Sequence, residues 1–103
     1  MRKKTLIVTR HSGAVRWLNS KGINGINVYN LKEEDVEKDD VIYGVLPLQL
    51  VAIAVNKGAE VNLLTLPNIA YEDRGRELSP EEMDKAGVSI LRVSNISLEE
   101  IIL

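Results

Sequence analysis

Cysteine is absent from the chain, so disulfides, zinc–thiolate sites and thiol nucleophiles are excluded. There is one histidine, His11, which rules out a histidine-rich metal site. Phenylalanine is missing too, and aromatic residues make up only 4% of the 103, so Val, Ile and Leu must fill the core. The same scarcity argues against a nucleic-acid platform lined by several stacking aromatics. A basic excess is also lacking: the net charge is −2 and the pI about 5.4. Non-specific binding to long nucleic acid usually needs such an excess, so none is expected, although a local cluster of arginines would suffice for a small anion. Long apolar runs do not occur. The longest, residues 45–55, is interrupted by Pro47 and Gln49 and is too short to cross a bilayer. The apolar stretch after Met1-Arg2-Lys3-Lys4 is too short for a signal-peptide core. A cytoplasmic protein with no membrane partner is the expectation.

What remains is an alternation of short apolar runs and helical patterns. Hydrophobic residues make up 45% of the chain, enough for one core, so residues 1–103 read as a single domain. Residues 5–9 are a buried strand by their short β-branched run. Ser12 is a plausible N-cap for a helix over 13–21, with Ala14, Val15, Trp17 and Leu18 on one face and Gly22 as its stop. Trp17 reads as core or interface packing. Residues 23–28 form a weaker strand, interrupted by Gly25. The charged run 31–40 reads as a solvated turn or short exposed helix rather than a metal site. Residues 41–45 are another strand. Pro47 opens a helix ending at Gly58. That helix is apolar nearly all round, which predicts a second covering layer, most simply another copy of the chain. Residues 61–66 are a strand and 67–78 a loop. Ser79-Pro80-Glu81-Glu82 is a capping box for a short helix ending at Gly87. Residues 88–93 make the last strand, and Ser97-Leu98-Glu99-Glu100 caps a terminal helical turn.

Strands and helices alternating at this spacing predict an α/β fold: an open, mostly parallel sheet with helices on both faces. Ligands of such sheets sit at the carboxyl ends of the strands, where strand order reverses. Three segments then fall on one edge: Thr9-Arg10-His11-Ser12-Gly13, Gly44-Val45-Leu46-Pro47-Leu48-Gln49, and the loop carrying Arg74-Gly75-Arg76-Glu77. The first helix has no acidic residue after its cap, so its positive end lacks a counter-charge of its own and favours an anion. Gly13 permits close approach of a ligand to backbone. The glycine spacing is neither a P-loop nor a dinucleotide fingerprint, which makes a nicotinamide enzyme the least favoured class. Each residue has a plainer reading. His11 can be a loop histidine bonded to backbone, Arg74 and Arg76 can pair with Glu72, Asp73 or Glu77, and Gln49 can be a surface residue in a first helical turn.

Val8-Thr9-Arg10-His11-Ser12-Gly13-Ala14-Val15-Arg16-Trp17-Leu18, Lys21-Gly22-Ile23, Gly44-Val45-Leu46-Pro47, and Arg74-Gly75-Arg76-Glu77-Leu78-Ser79-Pro80-Glu81-Glu82-Met83 together resemble a small CRISPR-associated accessory family. It is the sixteenth of the miscellaneous "x" series found beside type III systems. The resemblance spans nearly the whole chain in order and spacing, though residues 31–40 and the tail carry none of it. It implies a Rossmann-like homodimer related to CRISPR-associated sensor domains. It also implies a ligand, a cyclic oligoadenylate second messenger with a ring of four, and a ring-nuclease activity that ends the antiviral signal. Carried onto this chain, the implied function falls on Arg10, His11, Arg74, Arg76 and Glu77. The surrounding Thr9, Ser12, Gly13, Gly44, Leu46, Pro47, Gln49 and Gly75 are expected to bind the ligand.

The residues themselves agree in kind. Arginine forks suit phosphate, and a four-membered ring has a two-fold axis that fits a C2 dimer. With no metal cage legible and no cofactor expected, cleavage would use the ribose 2′-hydroxyl, leaving a 2′,3′-cyclic phosphate. His11 would act as acid or base, and Glu77 as base or as a support for Arg74 or Arg76. Two other classes remain open: a module that binds the same messenger without cutting it, and an interaction subunit that docks through the apolar 48–55 helix.

Overall fold

The computed structural model describes residues 3–65 and 78–103. Five strands form one sheet: β1 (Thr5–Val8), β2 (Ile26–Val28), β3 (Val41–Gly44), β4 (Glu60–Thr65) and β5 (Ser89–Arg92). Three helices accompany them: α1 (Ser12–Ser20), α2 (Leu48–Lys57) and α3 (Pro80–Ala86). The strand order is β2-β1-β3-β4-β5. The first four strands are parallel, and β5 runs antiparallel to β4 at the edge, a common ending for such sheets. From β1 the chain moves outward to β2 and then crosses back to β3 on the other side. Strand order therefore reverses between β1 and β3.

Successive strand residues serve opposite faces, as the two-residue period of a strand requires. Leu6, Val8, Ile42 and Val61 pack with Val51 and Ala54 of α2. Ile7 packs with Ala14, Trp17 and Leu18 of α1 and with Met83 of α3. Helices thus cover both faces, as the alternation of elements predicts. Trp17 is 4% exposed and belongs to this core, and its indole N–H donates to Asp84 Oδ1 at 2.9 Å, tying α1 to α3. Truncating a buried Trp costs about 3–5 kcal/mol, against roughly 1 kcal/mol for a typical hydrogen bond. Packing is therefore its main role.

Several expectations change. Helix α1 begins at Ser12 itself, with His11 as N-cap and no side-chain capping bond. The Ser12 hydroxyl instead accepts from Arg16 Nη1 one turn on, at 3.4 Å. Gly25 explains the shortness of β2: a Cβ there would lie 2.5 Å from the Thr5 carbonyl oxygen, so only glycine lets the chain come alongside β1. The charged run is not wholly solvated. Only Glu33–Asp35 forms a 3-10 turn, while Leu31 and Val36 are in the core. Asp40 is 1% exposed; it accepts from the Lys4 and Glu37 backbone N–H groups at 3.2 and 2.9 Å and pairs with Lys4 Nζ at 3.3 Å. This buried carboxylate joins the start of β1 to the start of β3. The terminal helical turn expected at Ser97 is absent: residues 93–103 are irregular, and Ile101, Ile102 and Leu103 are 80% or more exposed. A single turn closes too few hydrogen bonds to offset the cost of nucleating a helix, and the exposed Ile101, Ile102 and Leu103 give it no buried face.

The apolar surplus of α2 is met largely within the chain. Leu50 and Val55 pack onto the same core as Leu31, Val36, Val93 and Ile96. Lys57 Nζ anchors the far end, donating to the carbonyls of Glu33 and Val36 at 2.7 and 3.3 Å. Leu48 is left 58% exposed, close in sequence to Val45, which is 60% exposed.

Candidate functional site

The carboxyl ends of β1 and β3 lie side by side: Val8 pairs with Gly44, and the Val45 N–H donates to the Val8 carbonyl at 3.0 Å. Gly44 makes this closeness possible. Its φ is 142°, and a Cβ would stand 2.0 Å from the Val8 carbonyl oxygen. From this junction the chain turns into α1 on one face and α2 on the other.

Arg10, His11 and Ser12 are exposed on the β1 turn. Thr9 is buried, and its hydroxyl accepts from the His11 N–H at 3.1 Å, which sets the turn that presents Arg10 and His11. Gly13 is buried in the first turn of α1. On the β3 side Pro47 and Gln49 are exposed, whereas the side chain of Leu46 is in the core under α2. The Leu46 side chain is therefore not available to a ligand. Of the expected contact residues, Arg10, His11, Ser12, Pro47 and Gln49 are the exposed set on the two segments that leave this junction. Thr9, Gly13, Gly44 and Leu46 shape that set from below. Arg74, Gly75, Arg76 and Glu77 lie outside the described residues. β4 ends at Thr65 on the same edge.

At the described part of this edge the backbone adds to the charge of Arg10. Neither α1 nor α2 has a side-chain capping bond, and neither has an acidic residue in its first turn. Helix α3 is the contrast: Ser79 accepts from Glu82 N, Glu82 Oε1 accepts from Ser79 N at 2.9 Å, and Glu81 and Glu82 occupy the first turn. Two positive helix ends thus flank the junction without a counter-charge of their own, beside Arg10. Together they favour an anion.

The strand-end rule also reaches two residues that the sequence reading passed over. Val8 pairs with Val28, so Tyr29 and Asn30 leave β2 at the same edge at which Thr9 and Arg10 leave β1. Tyr29 is 67% exposed. Their signal was legible: they directly follow a strand expected to end at Val28.

A cavity of about 400 Å³ lies at the opposite, amino edge, lined by Lys3, Asp39, Asp40, Val41, Gly58 and Glu60. It has acidic walls, and the Asp40 carboxylate there is already committed to Lys4 and to backbone. Among the described residues, no three His, Cys, Asp or Glu side chains converge closely enough to hold a metal ion. No helix among them is long and apolar enough to cross a membrane.

No curated protein and no solved structure matches the chain. Residues 6–96, running from β1 past β5, match the family model described as "Putative CRISPR-associated protein (Cas_VVA1548)". The match takes in the β1 turn, the β3–α2 junction and residues 74–77. The chain belongs to this CRISPR-associated family.

Proposed function

We propose that this protein is a ring nuclease, binding a cyclic oligoadenylate at the carboxyl edge of its sheet and cleaving it to end a type III CRISPR signal. The observation that carries the proposal is the pair of uncapped, acid-free helix N-termini at the β1/β3 junction, with Arg10 exposed beside them. Membership of a CRISPR-associated family supports the biological setting. The β2-β1-β3-β4-β5 order supports a Rossmann-like relationship to CRISPR-associated sensor domains. One edge is small for a ring of four nucleotides. Two copies related by a two-fold axis would surround it, matching the symmetry of the ring.

In this reading Arg10, with Arg74 or Arg76, binds phosphate and stabilises the charge that develops on it. The ribose 2′-oxygen attacks the adjacent phosphorus, the bond to the 5′-oxygen breaks, and the product ends in a 2′,3′-cyclic phosphate. One proton leaves the 2′-hydroxyl and one reaches the departing 5′-oxygen. His11 performs one of these transfers, and Glu77 performs the other or orients an arginine.

A second reading, binding without cleavage, is favoured by one observation. Among the described residues, none hydrogen-bonds the His11 imidazole to fix its tautomer, as an oriented catalytic base usually requires. Incubating purified protein with labelled cyclic oligoadenylates in EDTA separates the two. Cleavage supports the enzyme, whereas tight binding with the ring intact supports the module. If rings are cut only after magnesium or manganese is restored, the metal-independent mechanism is wrong. For the enzyme, His11→Ala should slow single-turnover cleavage by about 10²–10⁴-fold with affinity nearly unchanged. Arg10→Ala should weaken both.

A further inference from the structure

We propose that Tyr29 is a base-stacking residue of this edge, offering the face of its ring to an adenine of the bound nucleotide; the inference rests on the nucleotide-binding reading above. The sheet register places it. Leu6, Ile7 and Val8 pair with Ile26, Asn27 and Val28, so Tyr29 directly follows the last pair, at the strand end where Thr9 follows Val8. Neighbouring strands lie roughly 4.8 Å apart. A phosphate held over the β1 turn by Arg10 and the α1 N-terminus would therefore carry its nucleoside within reach of the β2 end.

The chain is sparing with aromatic rings, which gives this one meaning. Among the described residues, Trp17 is 4% exposed in the α1–α3 core and Tyr43 is half-buried against the same core. Tyr29 is the aromatic left in solvent, at 67% exposure. Among the described residues, its ring and hydroxyl make no hydrogen bond and no ring contact. Stacking would add what the other described residues of this edge do not supply. Helix N-termini and arginine recognise phosphate but do not distinguish a nucleotide from a bare phosphate, whereas a π face gains only from a base. Every base has such a face, so Tyr29 would favour nucleotides over simple phosphates and would not by itself select adenine.

Equilibrium binding of labelled cyclic tetra-adenylate to wild type, Tyr29→Phe, Tyr29→Leu and Tyr29→Ala tests this, with the solution mass of each measured by light scattering. Base–aromatic stacking predicts that Tyr29→Ala binds roughly ten- to a hundred-fold more weakly. Tyr29→Leu should lose nearly as much, and Tyr29→Phe should bind almost as wild type. Ribose 5-phosphate, which has no base, should compete equally well against wild type and Tyr29→Ala. Tyr29→Ala retaining wild-type affinity for the ring overturns the assignment while leaving the cyclic-nucleotide reading intact. So does a weakened variant whose mass has fallen relative to wild type, since Tyr29 would then be an interface residue. Wild type that binds no cyclic oligoadenylate defeats the functional reading itself, and Tyr29's role with it.

Discussion

Asp84 illustrates how single residues hold the two helices of one face together. Its carboxylate accepts from the Trp17 indole at 2.9 Å and pairs with Lys21 Nζ at 3.0 Å, while that ammonium lies 5.6 Å from the Trp17 ring centroid. The Trp17 hydrogen bond first, and Lys21 second, hold the Asp84 carboxyl below the ordinary aspartate value of 3.8. A carboxyl depressed on folding adds stability that is complete above its unfolded value and is lost as pH falls through its folded one. Asp84→Asn should therefore flatten the dependence of Tm on pH in the acidic range, below the ordinary carboxylate value, leaving the profile near neutrality parallel to wild type. Thermal melts of both proteins across that range check it. Unchanged acid sensitivity in the variant would show that other carboxylates dominate. The site residues obey the same logic of commitment. Thr9 spends its hydroxyl on the His11 N–H and Leu46 its side chain on the core, whereas Arg10, His11 and Gln49 remain accessible.

The three helices differ at their starts, and the difference points to function. Helix α3 closes its own N-terminus with a reciprocal Ser79–Glu82 box, and it has acids in its first turn. Helices α1 and α2 do neither. An acid in the first turn normally stabilises a surface helix by about 0.3–1 kcal/mol, so leaving both sites empty forgoes a small gain at the edge proposed to take an anion. Gln49→Glu makes the trade measurable, because it places a carboxylate in the first turn of α2. Stability in the absence of ligand should rise slightly, by about 0.3–1 kcal/mol in urea denaturation. Affinity for a cyclic oligoadenylate should fall, and the loss should shrink at high salt as screening weakens the repulsion. Equal or tighter binding by Gln49→Glu would mean that the α2 N-terminus does not face the ligand.

At the scale of the whole molecule, the exposed apolar residues beside the junction bear on assembly. The sequence pattern of α2 suggested a broad dimer surface. Within the fold, much of that helix packs on the sheet and on the core that includes Leu31 and Val36. Val45 and Leu48 stay 60% and 58% exposed, and both are at the carboxyl edge. A dimer closed there would place two copies of Arg10 and His11 around one ring. Leu48→Glu should then convert a dimer to a monomer in light scattering at micromolar concentration, with Tm little changed, because Leu48 contributes little to the protomer core. A monomeric wild-type protein at that concentration would rule out the proposed closure.

Local chemistry was enough for much of this protein. The β-branched runs announced the strands, Gly22, Gly58 and Gly87 the helix ends, and Ser79-Pro80-Glu81-Glu82 the start of α3, because periodicity, left-handed backbone and capping act within a few residues. The alternation of elements gave a mostly parallel sheet with helices on both faces, and the strand-end rule brought the Arg10 and Pro47 segments to one edge. Other features depended on contacts between residues far apart in the chain. Asp40 looked like one more solvated acid in a charged run, yet it is buried because Lys4, 36 residues away, supplies it with a backbone N–H and a counter-charge. Ser97 carried a helix-start signal, yet no helix forms there, since one turn without a packing face cannot repay its nucleation. The antiparallel direction of β5 and the place of β2 beside β1 were likewise settled only by pairing. That second pairing is what brings Tyr29 to the edge of the candidate site: Val28 just before it and Val8 just before Thr9 are 20 positions apart in sequence and paired in the sheet.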